Sequence, residues 1–160
     1  MLHIIKRLQQ SLAAAGGAKK PAAFTDLQLA AAVLLLEVSS SDFEYRPEEK
    51  SAVLQALTRA FGLNEEQLKI LYDHAVYSAG RSVSLHDFIV IINREYSREQ
   101  KMLLLEQLWR VAFADGRLDK YEDHRIRRLA ELLHMPHRAF IQSKHAAAAA
   151  GGENLNPERA

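Results

Sequence analysis

Two stretches of this 160-residue chain carry the same order of apolar and acidic positions, 73 residues apart. Leu36-Glu37-Val38-Ser39-Ser40-Ser41-Asp42 lies over Trp109-Arg110-Val111-Ala112-Phe113-Ala114-Asp115, and the same offset places Glu49 on Glu122 and Val53 on Ile126. Each unit reads as an apolar helix ending in an aspartate, a short turn, and a second helix whose first turn carries a glutamate. A repeat of this kind predicts two helical hairpins packed about a pseudo-twofold axis. The fold class that follows is all-α.

Start and stop signals place the helices. Thr25 or Asp26 caps a helix that runs to about Ser40. Pro47-Glu48-Glu49 reads as a first turn: proline lacks the N–H that the first position would waste, and carboxylates favour the positive end of the helix dipole. That helix ends near Phe61-Gly62. Asn64 with Gln67 forms a capping box for the next, which Gly80 closes, and another begins near Ser84. Ser97 opens a long helix through Trp109 to Ala114, ended by Gly116, and Asp119 with Glu122 caps its successor until Pro136. A last helix runs from His137 into the alanines. No period-two alternation bounded by hairpin turns is present; the β-branched run from Val83 to Ile92 fits a buried helix.

These signals divide the chain into an arm over residues 1–23, a helical domain over 24–147 and a polar tail over 148–160. In the arm, Leu2, Ile5, Leu8 and Leu12 fall at helical spacing, so residues 2–14 read as a short amphipathic helix before the break at Gly16-Gly17. Its apolar side is expected to pack on the domain or on a second copy, a homodimer. Lys6, Arg7, Lys19 and Lys20 make weak contact with an anionic membrane surface the competing use.

Composition excludes several classes. The formal net charge is +1 with 26% charged residues, so no global field points to nucleic acid or to a membrane. Without cysteine there can be no disulfide, thiolate metal site or cysteine nucleophile, and a cytoplasmic setting is expected. The longest apolar run, Leu29 to Leu36, spans 8 residues, far below the roughly 20 needed to cross a bilayer. Polar residues interrupt the N-terminal stretch, so no secretion signal is expected.

The residues also resemble a known family, the tellurite-resistance TerB-like proteins, whose fold occurs too in a domain of a membrane-anchored co-chaperone. Leu108-Trp109-Arg110-Val111-Ala112-Phe113-Ala114-Asp115-Gly116 carries the resemblance, with Leu118-Asp119, Glu122, Arg127-Arg128-Leu129-Ala130 and Leu132-Leu133. Leu35-Leu36-Glu37-Val38, Pro47-Glu48-Glu49 and Phe61-Gly62-Leu63 extend it to the first half, over roughly residues 24–145. The resemblance implies a bundle of about seven helices and an acidic site at the paired turns that holds a divalent cation. One departure is visible. Where the family's first turn usually reads Ala-Asp-Gly, this chain has Ser41-Asp42-Phe43, so a phenylalanine stands where a glycine would accept a left-handed backbone.

As ligands for Ca²⁺ or Mg²⁺, the acidic turns offer Asp42, Glu44 and Glu49 from one unit and Asp115, Asp119 and Glu122 from the other. Clustered carboxylates repel one another unless a cation or a basic side chain compensates. The spacing is not that of an EF-hand, since no acidic twelfth residue follows Asp115. Helix termini alone account for most of these side chains: Asp119 and Glu122 as a capping box, Glu48 and Glu49 as partners of a dipole. They do not account for Asp42 and Asp115, which end their helices at the negative pole, and these two are the strongest candidates. Glu37 and its repeat partner Arg110 are expected to form a buried ion pair across the pseudo-twofold.

The 7 histidines show no paired metal spacing, and no nucleophile elbow, phosphate loop or dinucleotide fingerprint is present. Arg125, Arg127 and Arg128 are offset on the same helix by Asp119, Glu122, Asp123 and Glu131, which argues for a solvated edge rather than a nucleic-acid reader. Trp109, Phe113 and Tyr121 are expected in core or turn packing. The reading is a non-enzymatic interaction module that binds an unnamed protein partner and, through its turns, a divalent cation. The resemblance places it in a bacterial stress-response or envelope-associated complex. The alternative is an enzyme that uses the acidic turns for metal-assisted hydrolysis.

Overall fold

The computed structural model describes residues 24–39, 46–79, 84–114 and 120–150. The amphipathic helix expected over residues 2–14, the glycines at positions 80 and 116, the cap at Asp119 and the tail from residue 151 lie outside the described residues. Within them the chain forms α1 (Asp26–Ser39), α2 (Pro47–Phe61), α3 (Glu65–Ala79), α4 (Leu85–Glu95), α5 (Arg98–Ala112), α6 (Lys120–Leu132) and α7 (His137–Ala150). No described residue is in a strand. The fold is an all-α bundle.

The 73-residue spacing extends further than two helices. Asp26, Pro47 and Glu65 start α1, α2 and α3; Arg98, Lys120 and His137 start α5, α6 and α7, displaced by 72 or 73 positions. Within each set of three, the first helix packs chiefly on the third. The two first helices also pack on each other, and each touches the other set's second helix. Exchanging the sets leaves this pattern unchanged. Helix α4 has no counterpart among the described residues and lies against α1.

The run Leu29 to Leu36 dictates where α1 goes. A helix apolar on every face must be covered on every side, and α1 touches α2, α3, α4, α5 and α6. All 8 residues of the run are at most 3% exposed. Full burial of each leucine side chain stabilises by about 1.5–3 kcal/mol, so this one segment supplies much of the apolar driving force. Its three consecutive alanines keep the helix slim, which lets its neighbours approach.

Local chemistry sets the ends as the sequence predicts. Thr25 Oγ1 accepts from the Gln28 amide at 3.1 Å while the Thr25 amide donates to Gln28 Oε1 at 2.9 Å. The same reciprocal pair occurs at Asn64/Gln67 and Ser97/Gln100. Each box satisfies two helix-end donors that would otherwise lack partners. Gly62 ends α2 at φ 63°, and space is not the reason for glycine there, since nothing lies within 4 Å of where a Cβ would sit. The left-handed backbone is the reason.

Helix α6 ends differently. Asn93 Nδ2 donates to the Leu132 carbonyl and Lys101 Nζ to the Leu133 carbonyl, both at 3.0 Å, so α4 and α5 satisfy acceptors at the α6 C-terminus. His134 then adopts φ 58°, and the Met135 amide donates to the Ala130 carbonyl at 2.9 Å. This is a Schellman closure with histidine in the usual glycine place. Histidine accepts that region better than most side chains, yet at a cost. His134→Gly is therefore expected to raise stability by about 0.5–1 kcal/mol, after the larger unfolded-state entropy of glycine is subtracted. Urea denaturation of the two proteins checks this; an unchanged or lower midpoint for the glycine variant would contradict it.

Trp109 joins the two ends of the second set. It is fully buried, its Nε1–H donates to Ser143 Oγ of α7 at 3.1 Å, and the Ser143 hydroxyl donates to the Phe140 carbonyl at 2.8 Å. Phe113 stacks on its ring at 5.7 Å, Phe140 tilts against it at 5.1 Å, and Lys144 Nζ sits 5.2 Å from the ring centre. The expectation for Trp109 and Phe113 holds. Tyr121 instead is 61% exposed, because the α6 side that packs inward is marked by Ile126, Leu129, Ala130 and Leu133.

Candidate functional site

Of the six carboxylates proposed as ligands, Asp42, Glu44, Asp115 and Asp119 lie outside the described residues. Glu49 and Glu122 are described, one in the first turn of α2 and one in the first turn of α6. Glu49 acts as a cap: its Oε2 accepts from the Arg46 amide at 3.1 Å. Among the described residues no group of three or more His, Cys, Asp or Glu side chains stands close enough to hold a metal ion.

The expected buried pair between Glu37 and Arg110 is corrected. Glu37 emerges exposed near the end of α1. Arg110 instead pairs within its own helix, Nη2 lying 3.1 Å from Glu106 Oε1. Four residues apart on one helix, these two meet without any tertiary arrangement. Burying both charges between α1 and α5 would have cost more in desolvation than their attraction returns.

The structure does bring the approaches to both acidic turns together. Pro47 and Glu48, just after the first turn, and Phe113 and Ala114, just before the second, line one cleft of about 690 Å³. Ala147 and Ala150 of α7 also line it. Helix α2 packs on α5, which is why residues 65 positions apart share this wall.

Two arginines also line the cleft, Arg59 from the last turn of α2 and Arg110 from the last turn of α5. Arg59 Nε donates to Oε1 of the buried Gln107 at 2.9 Å. Burial first, and then the neighbouring Arg110 charge, lowers the proton affinity of Arg59, while Glu106 works in the opposite direction. The Arg110 Nε is buried and has no hydrogen-bond partner. Sequence reasoning singled out Arg110 but passed over Arg59. No local signal marks it, since an arginine in a last helical turn is ordinary. Only the α2–α5 packing sets it beside Arg110.

No helix among the described residues is long and apolar enough to cross a membrane. No curated protein and no solved structure matched the chain. The model of one family, described as Tellurite resistance protein TerB, matches residues 28–145, from the first turn of α1 into α7. That span takes in most of both helical sets, all of α4 and the α2 and α5 walls of the cleft, and the chain belongs to the TerB family of tellurite resistance proteins.

Proposed function

We propose that this chain is a non-enzymatic interaction module whose two acidic turns together bind one divalent cation, Ca²⁺ or Mg²⁺, and so set the shape of the surface offered to a protein partner. The observation that carries this reading is the shared cleft, whose walls include the residue pairs 47–48 and 113–114 that adjoin the two turns. Hard oxygen donors on short turns suit either ion. Since the described carboxylates form no ligand group among themselves, the ligands must come chiefly from the turns, with Asp42 and Asp115 foremost. Glu49, already engaged at the α2 N-terminus, would serve through its second oxygen. The membership in a tellurite resistance family supports placing the module in a bacterial stress-response or envelope-associated complex, with the cytoplasm as its setting.

The cation is expected to stabilise the fold by mass action, by about 2.7 kcal/mol when present at a hundredfold excess over its dissociation constant. Adding Ca²⁺ or Mg²⁺ should therefore raise the Tm of the wild type and leave a double Asp42→Asn, Asp115→Asn variant unmoved. A wild-type melting curve indifferent to both ions, or a variant that responds equally, would refute the shared site. Partner recognition has its own check: affinity capture from the native cell should yield a protein whose retention EDTA abolishes.

A further inference from the structure

We propose that the cleft between α2, α5 and α7 binds an oxyanion, the carboxylate or phosphate group of a small ligand, through Arg59 and Arg110. The proposal concerns the guanidinium wall of the cleft and does not depend on a cation in the acidic turns.

Three observations converge. First, the cleft has room: about 690 Å³ is enough for a small-molecule ligand. Second, its cationic side chains are under-compensated among the described residues. Arg59 and Arg110 are near enough to disfavour each other's charge, and the one described carboxylate paired with either is Glu106, on Arg110. Two like charges on one wall are unfavourable unless an anion offsets them. Third, donors are left over. Arg110 spends Nη2 on Glu106 and keeps a buried Nε without an acceptor, while Arg59 spends Nε on Gln107, a bond that leaves its two terminal nitrogens to other partners.

The two arginines are also placed differently in a useful way. Arg59 is exposed at the rim, and Arg110 is deeper, its side chain 25% exposed. Both are held from behind, by Gln107 and Glu106 respectively, neighbours on α5. A guanidinium fixed on one edge presents the remaining N–H groups in a known direction, which is what bidentate recognition of a carboxylate or phosphate requires. The helix wall supplies no such fork elsewhere in the cleft: Ser51 and Gln55 of α2 are neutral, and Ala147 and Ala150 of α7 are apolar. Glu48 also lines the cleft, and its carboxylate disfavours an anion beside it and so leaves the arginines as the favoured position.

The test follows the arginine Nε–H resonances of the full chain by NMR in buffer with EDTA, which strips any cation, while inorganic phosphate or succinate is added at constant ionic strength. Saturable shifts of the Arg59 and Arg110 signals are expected. Arg59→Gln should weaken binding about tenfold, the scale of one lost charge-assisted hydrogen bond, and Arg59→Lys should restore part of the loss. Arg128→Gln, which removes an equal charge from the exposed face of α6, should leave binding unchanged. Tighter binding of phosphate identifies a phosphate ligand and tighter binding of succinate a carboxylate, and either supports the site. Absence of shifts with both anions overturns it, as does equal weakening by the Arg59 and Arg128 variants, which would mean diffuse charge attraction only. Should Arg59→Gln fail to fold, the wild-type shifts alone decide.

Discussion

Trp109→Ala is expected to destabilise the fold by about 3–5 kcal/mol, the range for removing a large aromatic from a packed interior. Trp109 is fully buried and is the largest such side chain in the core. Its loss removes the stacking on Phe113 and the tilted contact with Phe140, takes the ring from beneath the Lys144 ammonium, and leaves the Ser143 hydroxyl without the indole donor. Since Trp109 is the one tryptophan of the chain, its fluorescence cannot report on the variant. Urea denaturation followed by far-UV circular dichroism is the appropriate measurement. Trp109→Phe should recover most of the loss, because it keeps apolar volume and gives up the single hydrogen bond, worth about 0.5–1.5 kcal/mol. A cost below about 1 kcal/mol for the alanine variant would mean that α5 and α7 are not joined through this residue.

The second large effect concerns the middle of α1. Leu34→Ala should cost about 2–5 kcal/mol, since Leu34 is fully buried and its helix is covered by five others. Surroundings held from so many sides collapse poorly into a void, which places the expected value in the upper half of that range. Leu103→Ala is the comparison. It deletes the same atoms from a side chain that is 60% exposed, and the change should fall within about 0.5 kcal/mol of zero. Similar costs at the two positions would overturn the assignment of α1 as the central helix.

The two arginines alter how the acidic turns are to be understood. Clustered carboxylates need compensation, and a divalent cation is one source. A cation held there would leave Arg59 and Arg110 of the adjoining cleft to an anion of their own, Glu106 being the one described carboxylate paired with either. Cation binding at the turns and anion binding at the arginines are separable by the measurements above: EDTA removes the first, and Arg59→Gln weakens the second.

Helix starts were legible in the sequence to within a residue or two, whereas α6, expected to run until Pro136, ends at Leu132. Thr25 with Gln28, Asn64 with Gln67 and Ser97 with Gln100 carry their capping chemistry within four residues, so no distant contact is needed to recognise them. The role of His134 was not legible. A left-handed closure is normally announced by glycine, and here Pro136 signalled the stop while histidine took the strained position. The expected pair of Glu37 with Arg110 failed for a related reason. An apolar stretch does not reveal that Glu37 faces outward while Leu36, Val38 and Ser39 beside it are buried, nor that Glu106 lies a helical turn from Arg110 on the same surface.

What the amino-acid order determined by itself is the set of helices, their ends, and the 73-residue correspondence between two portions of the chain, because capping, proline and glycine punctuation and apolar periodicity act over a few residues. The apolar run of α1 belongs with these: it demanded cover on every side, whatever helices provided it. Which helices provide that cover, and that Arg59 comes to lie beside Arg110 on a wall shared with the flanks of both turns, were decided by the tertiary structure alone. Packing between α2 and α5 depends on the fit of whole helix faces, and charges that sit 51 residues apart in the chain acquire an interaction once that fit has closed the distance.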